Sequence, residues 1–155
     1  MLLSDFISPD SVVSSLKAKT KKQLLQDLSA RAARLTGLPE REIFDVLLQR
    51  ERLGSTGLGH GIAIPHGKMQ GLKRIFGLFA RLAEPIDFEA VDGEPVDIVF
   101  LLLAPEGAGA DHLKALARIS RLLREGSAVE KLRACKDAAG LYAVLTEGET
   151  SSHAA

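Results

Sequence analysis

Residues 96–104 constrain the fold more than any other part of the chain. They read Val-Asp-Ile-Val-Phe-Leu-Leu-Leu-Ala, and Asp97 is their only polar side chain. Side chains along a strand alternate between the two faces of a sheet. A run that is apolar at successive positions therefore predicts a strand buried on both faces, with covering layers above and below. The run is too short to span a membrane, which takes ~20 apolar residues. Residues 75–82 form a second strand candidate and 12–16 a short third one. Between the two longer candidates, residues 84–97 hold six acids and no base, with turn signals at Asp92-Gly93 and Pro95. That composition predicts a solvated hairpin arm.

Helical spacing flanks the strands. Thr20 and Gln23 have the form of a capping box, in which the hydroxyl accepts the third amide and the Gln reaches back to the cap amide. Leu24, Leu28, Ala32 and Leu35 follow at helical intervals, and Gly37 is placed to end the helix. Pro39 opens a second helix with Ile43, Phe44, Leu47 and Leu48 on its inner stripe, running to about Arg52. From Asp111 the helical period returns, with His112, Leu116, Ile119 and Leu123 on one side and Lys114, Arg118 and Arg121 on another. Residues 129–134 and 138–145 are shorter helix candidates. Helices, then strands, then helices predict an α/β or α+β domain with one sheet covered on both faces. At 155 residues the chain has the size of one domain. Residues 1–147 are expected to form it and 148–155 to be a flexible C-terminal tail.

Charge and cysteine content narrow the function. Lys plus Arg and Asp plus Glu number 20 each, which lacks the basic excess of a nucleic-acid-binding domain. Cys135 is the only cysteine, so neither an internal disulfide nor a Cys-rich zinc site can form. The first residues lack the basic and long apolar regions of a signal peptide. A cytoplasmic protein without membrane insertion is expected.

Helical periodicity stops at Gly54, and six of the 14 glycines fall between Gly54 and Gly71. This stretch reads as loop with short extended pieces such as residues 62–64. It is not a P-loop, because Gly61 lies one residue too far from Gly67-Lys68, and Met69 stands where a hydroxyl is needed. It lacks the third glycine of a dinucleotide loop, and the chain has no Gly-x-Ser-x-Gly elbow. What remains is His66, between Pro65 and Gly67. Neutral imidazole is the main form near neutral pH, so one ring nitrogen keeps a lone pair able to attack a phosphoryl group. A surface or packing histidine is the competing reading. His112, near a helix start, is either a half-buried helix histidine or a second imidazole that hydrogen-bonds a phosphoryl oxygen. His60 is a loop residue shaping the approach, or with His66 and His112 a metal ligand, although its spacing matches no common site.

The segment 50–68, Arg-Glu-Arg-Leu-Gly-Ser-Thr-Gly-Leu-Gly-His-Gly-Ile-Ala-Ile-Pro-His-Gly-Lys, resembles the signature of the fructose/mannitol-type IIA domains of the bacterial phosphoenolpyruvate:sugar phosphotransferase system (PTS). Within them it is most similar to the nitrogen-regulatory branch, IIA-Ntr. Residues 86–105 resemble the family's second block, and Asp111-His112-Leu113 falls where the family has its second histidine. The resemblance implies a three-layer α/β/α sandwich with a mixed sheet. It implies that His66 takes a phosphoryl group on Nε2 from an HPr-like carrier (NPr), with His112 as second active-site histidine and Arg50 beside it. The protein would then be a phosphocarrier rather than a free-standing catalyst, needing no cofactor or metal. In this branch the phosphorylation state regulates partner proteins, among them potassium transport and sensor-kinase systems. A basic helix side at Lys114, Arg118 and Arg121 is a candidate docking face, against the alternative of a solvated one. Two other functions stay open: a sugar-specific IIA that passes phosphate to a IIB domain, and a binding module in which His60, His66 and His112 hold a metal or anion. His60 stands where many relatives have Asn.

Overall fold

A computed structural model describes residues 1–149. Six strands form one mixed sheet. β1 (Val12–Leu16) lies parallel to β5 (Phe76–Ile86), and β5 runs antiparallel to β6 (Val96–Pro105). The other side of β6 is shared by two short parallel strands. β3 (Ile62–Ala63) pairs with Ile98 and Val99, and β4 (His66–Met69) pairs with residues from Leu102 to Pro105. β2 (Gly57–Gly59) pairs antiparallel with β3. Among the described residues no strand covers the outer side of β4.

The apolar run is the centre of the molecule, as its composition demands. Val96 and every residue from Ile98 to Ala104 are fully buried. Val99, Leu101 and Leu103 face a core built with α1 (Lys21–Thr36) and α2 (Glu40–Arg52). Ile98, Phe100 and Leu102 face the opposite core, built with α3 (Ala110–Arg124), α4 (Gly126–Ala134) and α5 (Ala138–Leu145). Strand alternation thus splits one sequence run between two hydrophobic layers, and the result is the expected three-layer α/β/α sandwich.

Helix α1 begins and ends on the expected residues. The Thr20 hydroxyl accepts the Gln23 amide at 3.1 Å, and Gly37 closes the helix in the left-handed conformation at φ 79°. Gln23 reaches one residue further back than a capping box requires, accepting the Lys19 amide at 2.9 Å. Two expectations need correction. The acidic stretch 84–97 is not simply a solvated arm: β5 continues to Ile86, and Ile86, Phe88 and Ala90 are buried between exposed acids. Net acidity hid an alternation that buries one side, with Phe88 under the Lys21 ammonium at 4.5 Å from its ring centre. The tail does not begin at Gly148. Glu149 is buried, accepts the Leu3 amide at 2.7 Å and the Ser4 amide at 3.1 Å, and pairs with Arg118 at 3.1 Å. The rest of the expected tail lies outside the described residues.

Candidate phosphoryl-acceptor site

His66 opens β4 rather than sitting in a loop. The sequence His-Gly-Lys-Met has little intrinsic strand preference. It becomes a strand because β6 offers a free row of backbone donors and acceptors, and because Pro65, which donates no amide, still accepts the Leu102 amide at 3.0 Å. Register then decides the faces. Gly67 and Met69 turn toward the α1/α2 layer, where a Cβ on Gly67 would collide with Val46 of α2. His66 and Lys68 turn the other way, toward α3. Only glycine lets α2 pack this closely on β4. The site therefore lies at an uncovered sheet edge, where the end of α2 and the start of α3 meet.

His66, His112, Arg50, Lys68 and the exposed Leu53 line one open groove. The His66 and His112 rings lie 5.8 Å apart between centres, inclined at 64°. The Nδ1–H of His66 donates to the Ile64 carbonyl at 2.8 Å, which leaves Nε2 with the lone pair. Arg50 comes from the last turn of α2 and donates from Nη1 to the Gly54 carbonyl at 2.9 Å, a bond that pins the guanidinium at the groove. His112 sits in the first turn of α3, and its Nε2 is buried with no hydrogen-bond partner among the described residues. A buried polar atom in that state costs about 1–3 kcal/mol, so the site favours an incoming hydrogen-bond partner.

Both imidazoles titrate below the ordinary histidine value. Desolvation is the main cause for His66; the Ile64 bond opposes it, the Arg50 charge adds to it, and the Glu51 charge opposes it. For His112 the causes are desolvation and then the His66 and Lys68 charges. Both rings are therefore neutral near pH 7. The groove combines a neutral imidazole with cations, an arrangement suited to gaining negative charge.

The structure brings Arg50, His66 and His112 together and leaves His60 out. His60 lies at the β2–β3 turn, near the other end of β6, with its amide on Asp92 at 2.9 Å and its carbonyl held by Arg133 at 3.0 Å. It neither shapes the approach to His66 nor can share a metal with it. Among the described residues no three His, Cys, Asp or Glu side chains are gathered to hold a metal ion. His60 has φ 57°, a left-handed geometry that Asn accepts more readily than most residues. That accounts physically for Asn as an alternative there. Of the proposed basic helix side, Arg118 is committed to Glu149, so this is not three free cations. Lys68 is the groove residue that sequence reasoning passed over; its two-residue offset from His66 on one strand was the available signal.

A family model for the phosphoenolpyruvate-dependent sugar phosphotransferase system, EIIA 2, matches residues 5–148. The chain belongs to this EIIA 2 family. It is 62% identical over 145 residues to the nitrogen regulatory protein of Bradyrhizobium diazoefficiens, covering 94% of this chain and 95% of that one. The crystal structure of the nitrogen regulatory protein IIA-Ntr from Neisseria meningitidis superposes with a TM-score of 0.88 at 36% identity, over 93% of this chain and 99% of that one. The mannitol IIA of Escherichia coli shares the fold at 19% identity, with a TM-score of 0.76 over 90% of this chain and 98% of that one. The chain is thus a PTS IIA-type protein similar to the nitrogen regulatory members. No helix among the described residues is long and apolar enough to cross a membrane.

Proposed function

We propose that this protein is the phosphocarrier of a nitrogen-related phosphotransferase system, that His66 accepts the phosphoryl group from an HPr-like carrier such as NPr, and that its phosphorylation state regulates partner proteins. The observation that carries the site assignment is the bond from His66 Nδ1–H to the Ile64 carbonyl, which leaves Nε2 facing a groove with Arg50 and His112. The nitrogen-regulatory assignment rests on the 62% identity across nearly the whole chain.

The chemistry is a phosphoryl exchange between two imidazoles. The P–N bond to the carrier histidine breaks as a P–Nε2 bond forms on His66, and Nδ1 keeps its proton on the Ile64 carbonyl. The donor's ring, protonated on its other nitrogen, leaves as a neutral imidazole with its lone pair, so no external base is needed. Such transfers depend on in-line positioning and electrostatic support. Arg50 can meet two phosphoryl oxygens with its guanidinium fork, and His112 can donate to a third. The bond broken and the bond formed are alike, so transfer is reversible.

Phosphorylation brings close to two negative charges to a groove whose lining includes the cations Arg50, Arg52 and Lys68. That neutralisation of local positive charge is a sufficient switch for partner choice, with potassium transport and sensor-kinase systems as regulated partners in the cytoplasm. The test is to incubate the protein with phosphoenolpyruvate, an enzyme I-type kinase and the HPr-like carrier, and measure intact mass. One acid-labile phosphate should appear and should be absent from His66→Ala. Full labelling of His66→Ala would defeat the assignment.

A further inference from the structure

Behind the groove, five polar contacts in four residue-to-residue links run from Lys21 to His66. Glu51 follows Arg50 in α2, and the helical turn points it inward, where it is buried. Its carboxylate accepts the Lys21 ammonium at 3.0 Å, the Thr56 amide at 3.0 Å and, through a short bond, the Thr56 hydroxyl. The Thr56 carbonyl accepts the Ile64 amide at 3.1 Å. The Ile64 carbonyl accepts Nδ1–H of His66. Each contact is made by the residue that makes the next.

We propose that Glu51 is a positioning residue for His66: through Thr56 and Ile64 it fixes the carbonyl that selects the Nδ1–H tautomer, and so keeps Nε2 free to take the phosphoryl group. The proposal rests on the phosphoryl-acceptor reading above and adds to it the group that holds the acceptor ready. The reason such a group is needed lies in the chain itself. Gly54, Gly57, Gly59 and Gly61 fall between α2 and β3, and glycines leave a segment with much freedom to lose on folding. β2 and β3 hold together only five residues in strands, too few to hold a carbonyl in place unaided. A buried carboxylate with three donors is a stiff anchor for that segment. A histidine tautomer is set by the hydrogen bond its other nitrogen makes, so a carbonyl that drifts releases the ring.

Glu51 and Arg50 being neighbours has a second consequence. The anchor that holds the Ile64 carbonyl also holds the helix end that presents the guanidinium. Acceptor and cation are positioned from one point.

The test uses Glu51→Gln and Thr56→Val in the full chain. Thr56→Val preserves shape and the backbone amide, so it reports even where Glu51→Gln does not fold. ¹⁵N-detected NMR of the unphosphorylated protein reads the His66 tautomer independently of any phosphate transfer. Thermal melting verifies folding, and rapid-quench kinetics with the phosphorylated carrier separate kcat from KM. Groups that orient a histidine through an intermediary, known best at metal sites, typically contribute ~10–100-fold. We expect a measurable Nε2–H fraction in both variants, a kcat about tenfold lower in Glu51→Gln and lower by a smaller factor in Thr56→Val, and an unchanged KM. A folded Thr56→Val with His66 wholly Nδ1–H would overturn the proposal, as would a slowed transfer without any tautomer change. A wild-type protein that carries the Nδ1–H tautomer but takes no phosphate would instead contradict the acceptor reading alone.

Discussion

Gly67→Ala probes how α2 and β4 cooperate. The added Cβ points at Val46 and cannot coexist with its Cγ1. Carbon atoms prefer ~3.5–4.0 Å between them, so α2 must retreat by more than about 1 Å. Overpacking of this kind costs about 1–3 kcal/mol, which for a domain of this size lowers Tm by roughly 2–4 °C per kcal/mol. Function should suffer more than stability. Arg50 lies one helical turn beyond Val46 on the same side of α2, so it moves with the helix, and a ~1 Å misplacement can cost ~10²-fold in rate. Val46→Ala removes the clashing methyl. The assay is a double-mutant cycle of Gly67→Ala and Val46→Ala, read by thermal melting and by phosphoryl transfer from the carrier. We expect the single Gly67→Ala change to lower both, and the double variant to recover much of the rate, giving a favourable coupling. A Gly67→Ala protein that transfers at the wild-type rate, or a double variant as slow as the single, would refute this account of the Pro-His-Gly segment.

Other outcomes follow from the same geometry. Arg50→Ala and His112→Ala should each slow transfer without abolishing it; hydrogen bonds to charged groups contribute ~1.5–3 kcal/mol, or roughly 10–150-fold. Arg50→Lys should recover only part of the loss, since an ammonium lacks the fork. For pH, His66 titrates below 6.5 in the folded protein, so the acid limb of the transfer rate should have its midpoint below 6.5. The same depression means that the unfolded chain takes up the proton first. Stability should therefore be undiminished above 6.5 and fall with acid until the folded histidines protonate; a melting temperature that rises from pH 7 to 5.5 would contradict this.

Elements governed by local chemistry were legible in the sequence. The cap at Thr20, the stop at Gly37 and the whole of α5 follow from neighbouring residues, and the run around Phe100 could hardly be anything but a central strand. The site was legible in residue type through a motif, with Arg50, His66 and His112 all lining one groove. What escaped depends on partners distant in the chain. β4 exists because β6 presents an open edge to a segment with no strand preference of its own. Glu149 looked like tail because its partners, Leu3, Ser4 and Arg118, lie 31 to 146 residues away. Glu51 drew no reading from the sequence, since nothing local shows that Lys21 and Thr56 will close around it. Phe88 and Ala90 were masked by the acids that alternate with them.

The position of the phosphoryl group on the imidazole decides the central claim most directly. Protein phosphorylated through the carrier and observed by ³¹P and ¹⁵N NMR should carry phosphorus on Nε2 of His66, with Nδ1 still protonated. Phosphorus on Nδ1, or on any other residue, would contradict the account.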